Sequence, residues 1–313
     1  MQARSILIGF VAFFCISFTL PAAADSNAAK NAPPMQVIAA AIKKAAFVPS
    51  SPAPIKNNSA EHIAQEQDVI VFTAPPRESP EEAQEIYQPI AEYLSRTIGK
   101  KVIYKNAGTW GVYRTEMLKG SYDLVFDGPH FNSYRMEKLS HNILVKIPER
   151  HEFVVIVRKD QAISGLAQMA GRTFCAHAPP NLGTLVLLSQ FDNPARQPVI
   201  LSTNGWDNIY QGVMSGKCMG GVLPMANLKK FDRANAMKVV FKTQAMPNQA
   251  FSAGPRISAE DQMKITQALT SVDASAVTAK LRAAYKVGDS FTQANNQEYQ
   301  GLAEYLRNEW GYY

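Results

Sequence analysis

Two cysteines and a histidine are the residues of this 313-residue chain whose spacing could support covalent chemistry. Cys175 and His177 are two positions apart, so their side chains share one face in an extended strand. The pair could act as a nucleophile and its base, although no third residue is evident that would orient them. Alternatively, Cys175 and Cys218 could form a disulfide, as paired cysteines of exported proteins commonly do.

Other patterns of catalysis are missing from the sequence. It has no Walker-type phosphate loop, no paired-glycine fingerprint after a strand, no histidine pair at helical spacing, and no Cys/His set with metal-site spacing. We therefore expect a binding protein rather than an enzyme, with no cofactor and no metal.

Polar and aromatic residues occur instead in loops that follow predicted strands. Ligands of open α/β sheets bind beyond the carboxyl ends of the strands, where helix N-termini offer unpaired N–H groups. The candidate ligand-binding residues in these loops are Arg77, Thr109, Trp110, Asp127, His130, Asn181, Thr184, Asn204 and Trp206. The helix starts and polar donors suit an anion, whereas the two Trp faces suit an apolar or cationic group.

Several of these residues also have a purely structural interpretation. The two Trp side chains could simply pack against the first turns of their helices, and Asp127 could be a turn residue. His130 could be a loop histidine with satisfied hydrogen bonds. We expect His141 and His151 to lie at the surface.

The N-terminus has the pattern of a secretory signal peptide at residues 1–24. Arg4 precedes an apolar run at residues 6–20, and three alanines ending at Ala24 form a cleavage site. The run is shorter than the roughly 20 residues that span a bilayer. We expect cleavage after Ala24, export to the periplasm, and a flexible linker at residues 25–67, which are rich in Ala, Pro, Ser and Asn.

The net charge of the chain is +6, a modest excess that suits an anionic ligand. The basic residues are scattered, and no basic cluster is interleaved with aromatic residues. We therefore expect no nucleic-acid partner.

Strand and helix patterns alternate from residue 69 onward, which is typical of parallel sheets covered by helices. A weak repeat supports two similar units, because Trp110 precedes Gly120 by the same interval as Trp206 precedes Gly216. The length of this region suits two lobes rather than one.

A succession of short motifs between Phe72 and about Ile257 resembles the phosphate-, phosphite- and phosphonate-binding proteins of ABC importers. The motifs are YQPIAEYL at 87–94, GSYDL at 120–124, the Gly-Pro pair at 128–129, FVVIVRKD at 153–160, GRTF at 171–174 and GVMSGK at 212–217. No single motif is specific to this family, but the order in which the motifs occur is.

The resemblance implies a two-lobed type II periplasmic-binding fold with mixed, mostly parallel sheets and two hinge strands. Lobe 1 would comprise residues 69–158 plus 250–313, with the C-terminal helices packed on it, and lobe 2 residues 159–249. It places the strands of Cys175 and Cys218 side by side, which favours the disulfide over the nucleophile. One departure is Pro179-Pro180, which stands where the family has a Ser-Thr-Ser-type phosphate cradle.

The function that follows is a periplasmic solute-binding protein, expected to be a monomer. It would close around a small phosphate- or phosphonate-like oxyanion and deliver it to an ABC permease. An alternative is a ligand-sensing module that presents its closed state to a membrane signalling partner. An enzyme that uses Cys175 is the third possibility.

Overall fold

The computed structural model describes residues 69–309 except 286, 287 and 289, so the expected signal peptide and linker lie outside the described residues. The strands are β1 (Val69–Thr73), β2 (Lys101–Tyr104), β3 (Leu124–Asp127), β4 (Asn142–Lys146), β5 (Phe153–Arg158), β6 (Thr173–Ala176), β7 (Val199–Ser202), β8 (Gly220–Pro224), β9 (Met237–Lys242), β10 (Ala250–Ala253) and β11 (Thr292–Gln293). The α-helices are α1 (Pro80–Ile98), α2 (Trp110–Leu118), α3 (Pro129–Leu139), α4 (Leu182–Leu188), α5 (Trp206–Met214), α6 (Met225–Phe231), α7 (Ala259–Thr270), α8 (Ala274–Val277) and α9 (Ala279–Tyr285). Short 3-10 helices cover Leu166–Met169, Pro194–Arg196, Asn296–Tyr299 and Leu302–Leu306.

These strands form two mixed sheets with helices, which confirms the predicted α/β class. The first sheet has the order β11-β4-β10-β3-β1-β2, and the second has the order β7-β6-β8-β5-β9. The parallel pairs are built on β1 and β6. The antiparallel pairs involve β5, β10 and β11. Strands β5 and β10 are the strands that follow the two crossings between the sheets.

Helix α1 begins and ends where the sequence predicts. The hydroxyl of Ser79 accepts a hydrogen bond from the N–H of Glu82, whose carboxylate accepts one from the N–H of Ser79. This reciprocal cap satisfies two N–H groups that the first turn leaves unpaired. Gly99 ends the helix with a φ of 70°, which a glycine adopts without steric cost.

The chain crosses between the sheets twice, at residues 147–152 and 243–249, and the two crossings are bonded to each other. His151 and Met246 form an antiparallel bridge. The side-chain amide of Asn248 donates to the carbonyl of Glu149 at 2.9 Å, and the carbonyl of Asn248 accepts from the hydroxyl of Tyr299 at 2.8 Å. By sheet membership β5 lies with the second sheet, whereas the sequence analysis placed residues 153–158 in lobe 1. We therefore propose lobe boundaries within the two crossings.

The C-terminal 3-10 helix Leu302–Leu306 contacts core residues of both sheets. Leu306 is fully buried in a cluster that includes Phe131 of α3 and Leu185 of α4. Leu302 and Tyr305 pack against the core beneath the second sheet. The family resemblance predicts this segment on lobe 1 alone. The structure shows that its apolar stripe is divided between two cores.

Cys175 of β6 and Cys218 form a disulfide, as predicted, with their Cα atoms 5.6 Å apart. Helix α5 packs closely over the bond, since a Cβ atom on Gly212 would lie 2.5 Å from the sulfur of Cys175. The sulfur of Cys175 is therefore engaged in a structural bond and is not a free thiol.

His141 is buried, so the prediction of a surface position is wrong. It is only 3 % exposed, and its Nδ1 lies 3.3 Å from the hydroxyl of Ser252 on β10. A Cβ atom on Gly254 would lie 2.9 Å from its Nε2, so the glycine leaves room for the ring. Burial lowers the pKa of His141 to about 3. His151 is half-buried rather than exposed.

Among residues 69–309, apart from the three omitted positions, no helix is long and apolar enough to cross a bilayer. The same part of the chain contains no group of three or more His, Cys, Asp or Glu side chains that could hold a metal ion.

Replacing both Cys175 and Cys218 with Ser should lower the free energy of unfolding by about 2–4 kcal/mol, because the bond closes a loop with a sequence separation of 43 residues. Urea unfolding of the oxidised wild type and the double variant measures the difference. An unchanged free energy of unfolding would show that the bond does not restrain the unfolded chain.

Stability should fall as the pH drops from about 6.5, the ordinary pKa of histidine, toward the folded-state pKa of His141 at about 3. In this interval the unfolded chain binds a proton at His141 and the folded chain does not, so this residue contributes a slope of about 1.4 kcal/mol per pH unit. Urea unfolding across this range should show a shallower slope for His141→Gln than for the wild type. Equal slopes would contradict the buried neutral imidazole.

Candidate ligand-binding site

The carboxyl ends of β1 and β3 bring Arg77 and Asp127 together. Arg77 lies in the loop between β1 and α1, and its Nη2 donates to Oδ1 of Asp127, the last residue of β3, at 2.9 Å. Its Nη1 donates to the hydroxyl of Tyr285 on α9 at 3.2 Å. The Arg77 side chain keeps 27 % of its accessible surface, whereas the Asp127 side chain keeps none. Part of the Arg77 side chain is therefore accessible to solvent or a ligand.

Asp127 is a buried carboxylate with four donors. Oδ1 accepts from Arg77 and from the N–H of Gly128 at 2.6 Å. Oδ2 accepts from Nη1 of Arg135 at 3.0 Å and from the hydroxyl of Tyr113 through a very short bond. Burial opposes ionisation, but Arg135 and Arg77 outweigh it, so the pKa of Asp127 lies below its ordinary value. The carboxylate therefore stays charged, and both its oxygens are occupied.

The second arginine, Arg135, lies on α3 and is fully buried. Its guanidinium carbon lies 5.5 Å from the ring centre of Tyr113, and its Nη2 donates to the Tyr113 hydroxyl. Its Nε has no hydrogen-bond partner within the described part of the chain. Arg77, Asp127 and Arg135 together carry one more positive than negative charge, and the neighbouring carboxylate of Glu78 also interacts with Arg77. Asp127 is thus the one carboxylate that is hydrogen-bonded to both arginines.

Trp110 forms one wall of this region. Its ring lies 6.1 Å from Phe131 in a stacked arrangement, and the guanidinium of Arg77 lies 5.8 Å from its ring centre. The residue is 36 % exposed, so one part of the ring faces outward. Thr109 precedes it as the N-cap of α2, and its hydroxyl accepts a hydrogen bond from the N–H of Val112 at 3.2 Å.

His130 lies in the first turn of α3, beside Asp127. It is 3 % exposed, and its Nε2 lies 3.0 Å from the backbone carbonyl of Pro180, in the loop before α4. Its Nδ1 has no hydrogen-bond partner in the described part of the chain. Burial lowers the pKa of His130 to about 4, so the ring is neutral at physiological pH. His130 therefore joins the first-sheet side of the site to the second-sheet side.

The loop before α4 uses its polar side chains locally. Oδ1 of Asn181 accepts a hydrogen bond from the N–H of Gly183 at 3.0 Å. The hydroxyl of Thr184 donates a hydrogen bond to the carbonyl of His177 at 2.6 Å. Thr184 is fully buried. The peptide bond between Pro179 and Pro180 is cis, and the carbonyl of Pro180 lies 3.0 Å from Nε2 of His130. The Pro180 carbonyl thus offers a hydrogen-bond acceptor at the place where the sequence predicts only that two prolines remove N–H donors.

The remaining two candidates lie on α5 and its entry loop. Trp206 packs edge-to-face on His177, with ring centres 4.3 Å apart, and joins the core beneath the second sheet. Asn204 is exposed and lines a polar groove of about 480 Å³, together with Thr203, Asn208, Gln211, Ser215 and Lys217. The contacts therefore group Arg77, Trp110, Asp127 and His130, with Asn181 adjoining through Pro180. Asn204 belongs to a separate groove.

Arg135 and Tyr113 belong to the site but were absent from the sequence-based candidates. Each lies one helical turn from an aromatic residue of the site, since Arg135 follows the buried Phe131 by four positions and Tyr113 follows the partly exposed Trp110 by three. A charged residue on the buried stripe of a helix was the available signal. Its meaning depended on a carboxylate from another element, which periodicity alone does not reveal.

Asp127→Asn should lower the free energy of unfolding by about 3–5 kcal/mol, because it leaves the buried Arg135 without its counterion. In a double-mutant cycle with Arg135→Met, the double variant should be more stable than the summed single effects predict, by about 0.5–3 kcal/mol. Urea unfolding of the four proteins measures the coupling. A cost below 1 kcal/mol for Asp127→Asn, or strict additivity, would contradict the buried ion cluster.

Several solved structures share this fold. PhnD1 from Prochlorococcus marinus, in complex with methylphosphonate, is 14 % identical with a TM-score of 0.57, covering 77 % of this chain and 98 % of its own. A binding protein of an ABC phosphonate transporter from Pseudomonas aeruginosa is 17 % identical with a TM-score of 0.53, covering 74 % and 83 %. An ATP-bound protein from Xanthomonas citri is 12 % identical with a TM-score of 0.60, covering 77 % and 97 %.

No curated protein matches the chain by sequence. The model of the family described as ABC transporter, phosphonate, periplasmic substrate-binding protein matches residues 72–311, which is most of the chain. This match confirms the resemblance carried by the short motifs. The chain therefore belongs to the family of periplasmic substrate-binding proteins of ABC phosphonate transporters.

Proposed function

We propose that this protein binds a small phosphorus oxyanion of the phosphate or phosphonate type between its two sheets and delivers it to an ABC permease. The observation that carries the proposal is the pair of arginines, Arg77 and Arg135, that share the buried carboxylate of Asp127. A carboxylate that already has four donors cannot neutralise both arginines fully. An anionic ligand at the accessible part of Arg77 would give this guanidinium a further partner.

In this proposal Asp127 positions the site and does not contact the ligand. Both its oxygens are engaged, so it holds Arg77 in place while the N–H groups of Arg77 that are not bonded to Asp127 or Tyr285 bind the oxyanion. Planar guanidinium groups bind such anions through paired N–H donors. Helix α3 starts at Gly128 without a side-chain cap, and the N-terminus of a helix favours a negative charge nearby.

The other candidates receive supporting roles. Thr109, Asn181 and Thr184 hold the helix starts and loops that surround the site, because their polar atoms already have local partners. Trp110 forms a wall beside Arg77 and accommodates whatever group the phosphorus atom carries. Trp206 supports the second-sheet side of the cleft through His177.

Ligands of the structural neighbours agree with a phosphorus oxyanion, since one neighbour holds methylphosphonate and another holds ATP. At 12 and 14 % identity, the likeness to these proteins shows the fold alone. The chemistry common to both ligands is a tetrahedral phosphorus with charged oxygens. That shared chemistry is the class we assign to this site.

Closure around the ligand would use the contact between His130 and Pro180. This hydrogen bond joins the start of α3 to the loop before α4, across the space between the sheets. The crossings at residues 147–152 and 243–249 would serve as the hinge. In solution, ligand should favour a more compact form, with import rather than sensing as the outcome.

Arg77→Met should weaken the binding of inorganic phosphate and methylphosphonate at least about 30-fold, because it removes the cation whose accessible part meets the ligand. Isothermal titration calorimetry measures the affinities. Arg96→Met, at an exposed position near the end of α1, is the matched control and should bind as the wild type does.

Equal affinities of Arg77→Met and the wild type would remove Arg77 from the site. Failure of the wild type to bind any phosphorus oxyanion would overturn the proposed function itself.

A further inference from the structure

The protonation of His130 is fixed by its contact across the cleft. The backbone carbonyl of Pro180 can only accept a hydrogen bond, so Nε2 of His130, 3.0 Å away, must carry the proton. A neutral imidazole has one N–H, and burial keeps the pKa of this ring at about 4. Nδ1 is therefore a bare acceptor at neutral pH.

This acceptor is buried without a donor. His130 is only 3 % exposed, and its Nδ1 has no hydrogen-bond partner within the described residues. The charged groups around the ring are Asp127, Arg77 and Arg135. Both oxygens of Asp127 are engaged, and Arg77 and Arg135 direct N–H groups to that carboxylate. An unpaired buried acceptor is unfavourable by about 1–3 kcal/mol unless something donates to it.

Nδ1 of His130 and Nη2 of Arg77 both lie near one point beside Gly128. A Cβ atom on Gly128 would lie 3.1 Å from Cε1 and 3.3 Å from Nδ1 of His130, and 3.6 Å from Nη2 of Arg77. Nδ1 can only accept a hydrogen bond, and Nη2 can only donate one. A ligand that satisfies both must donate one hydrogen bond and accept another, as the O–H and the charged oxygen of a protonated oxyanion do.

We propose that the site selects oxyanions that still carry a proton, with the ligand O–H donating to Nδ1 of His130 while a neighbouring oxygen accepts from Arg77. This inference rests on the proposed function and specifies its substrate class as hydrogen phosphate or a hydrogen phosphonate. Fully deprotonated tetrahedral anions such as sulfate place a lone pair against Nδ1, so the site rejects them.

Three anions separate this inference from simple anion binding. At about pH 6 phosphate and methylphosphonate both carry a proton, whereas at about pH 9 phosphate keeps one and methylphosphonate has none. Sulfate has none at either pH. Calorimetry on the wild type should show phosphate binding about 10- to 100-fold tighter than sulfate at both pH values. Between about pH 6 and about pH 9, the affinity for methylphosphonate should fall by about the same factor relative to the affinity for phosphate.

Two substitutions of His130 separate its two nitrogens. His130→Gln can keep a donor for the Pro180 carbonyl but has no acceptor at the position of Nδ1, so the preference for phosphate over sulfate should shrink to a few-fold. His130→Asn places an amide oxygen close to the position of Nδ1 and gives up the contact with Pro180. This variant should bind more weakly overall and keep more of the preference than His130→Gln.

Sulfate binding as tightly as phosphate in the wild type would overturn the inference and leave oxyanion binding intact. So would methylphosphonate affinity that follows phosphate at both pH values, or a His130→Gln variant that retains the full preference. The wild-type comparisons decide the matter even where a variant does not fold. Absence of binding by all three anions would instead refute the proposed function.

Discussion

The buried carboxylate of Asp127 is the interaction on which the candidate site depends. It ends a strand of the first sheet and holds an arginine from the β1–α1 loop, an arginine from α3 and a tyrosine from α2. Three elements are therefore fixed relative to one charge. A buried ion cluster of this kind is weak evidence for stability, because desolvation offsets much of the attraction. Its value here is positional, since it holds Arg77 by a hydrogen bond while part of that side chain stays accessible.

The second constraint is the pair of crossings that joins the two sheets. His151, Met246 and Asn248 bond one crossing to the other, and Tyr299 adds a contact from the C-terminal segment. That segment also packs on the cores of both sheets. The same chain thus connects the halves through backbone and through apolar contacts. The hydrogen bond between His130 and the Pro180 carbonyl adds a further link between the two halves, at the candidate site.

The parts of the fold that depend on local patterns follow from the sequence. Hydrophobic alternation places the strands, and Ser79 and Gly99 mark the ends of α1. The rule that ligands bind beyond strand ends selected the loops that carry Arg77 and Asp127. Contacts between distant elements were not accessible in this way. The buried position of His141 depends on room left by Gly254, and the role of Arg135 depends on a carboxylate from β3. Neither arrangement leaves a periodic signal along the chain.

The central claim is that a phosphorus oxyanion occupies the space between Arg77, His130 and the start of α3. A crystal structure of the protein grown with methylphosphonate tests it most directly. The account predicts the phosphonate group within hydrogen-bond distance of the Arg77 guanidinium and Nδ1 of His130, with Asp127 still bonded to both arginines. Phosphonate bound elsewhere, for example in the groove beside Asn204, with His130 and Arg77 free of ligand, would contradict it.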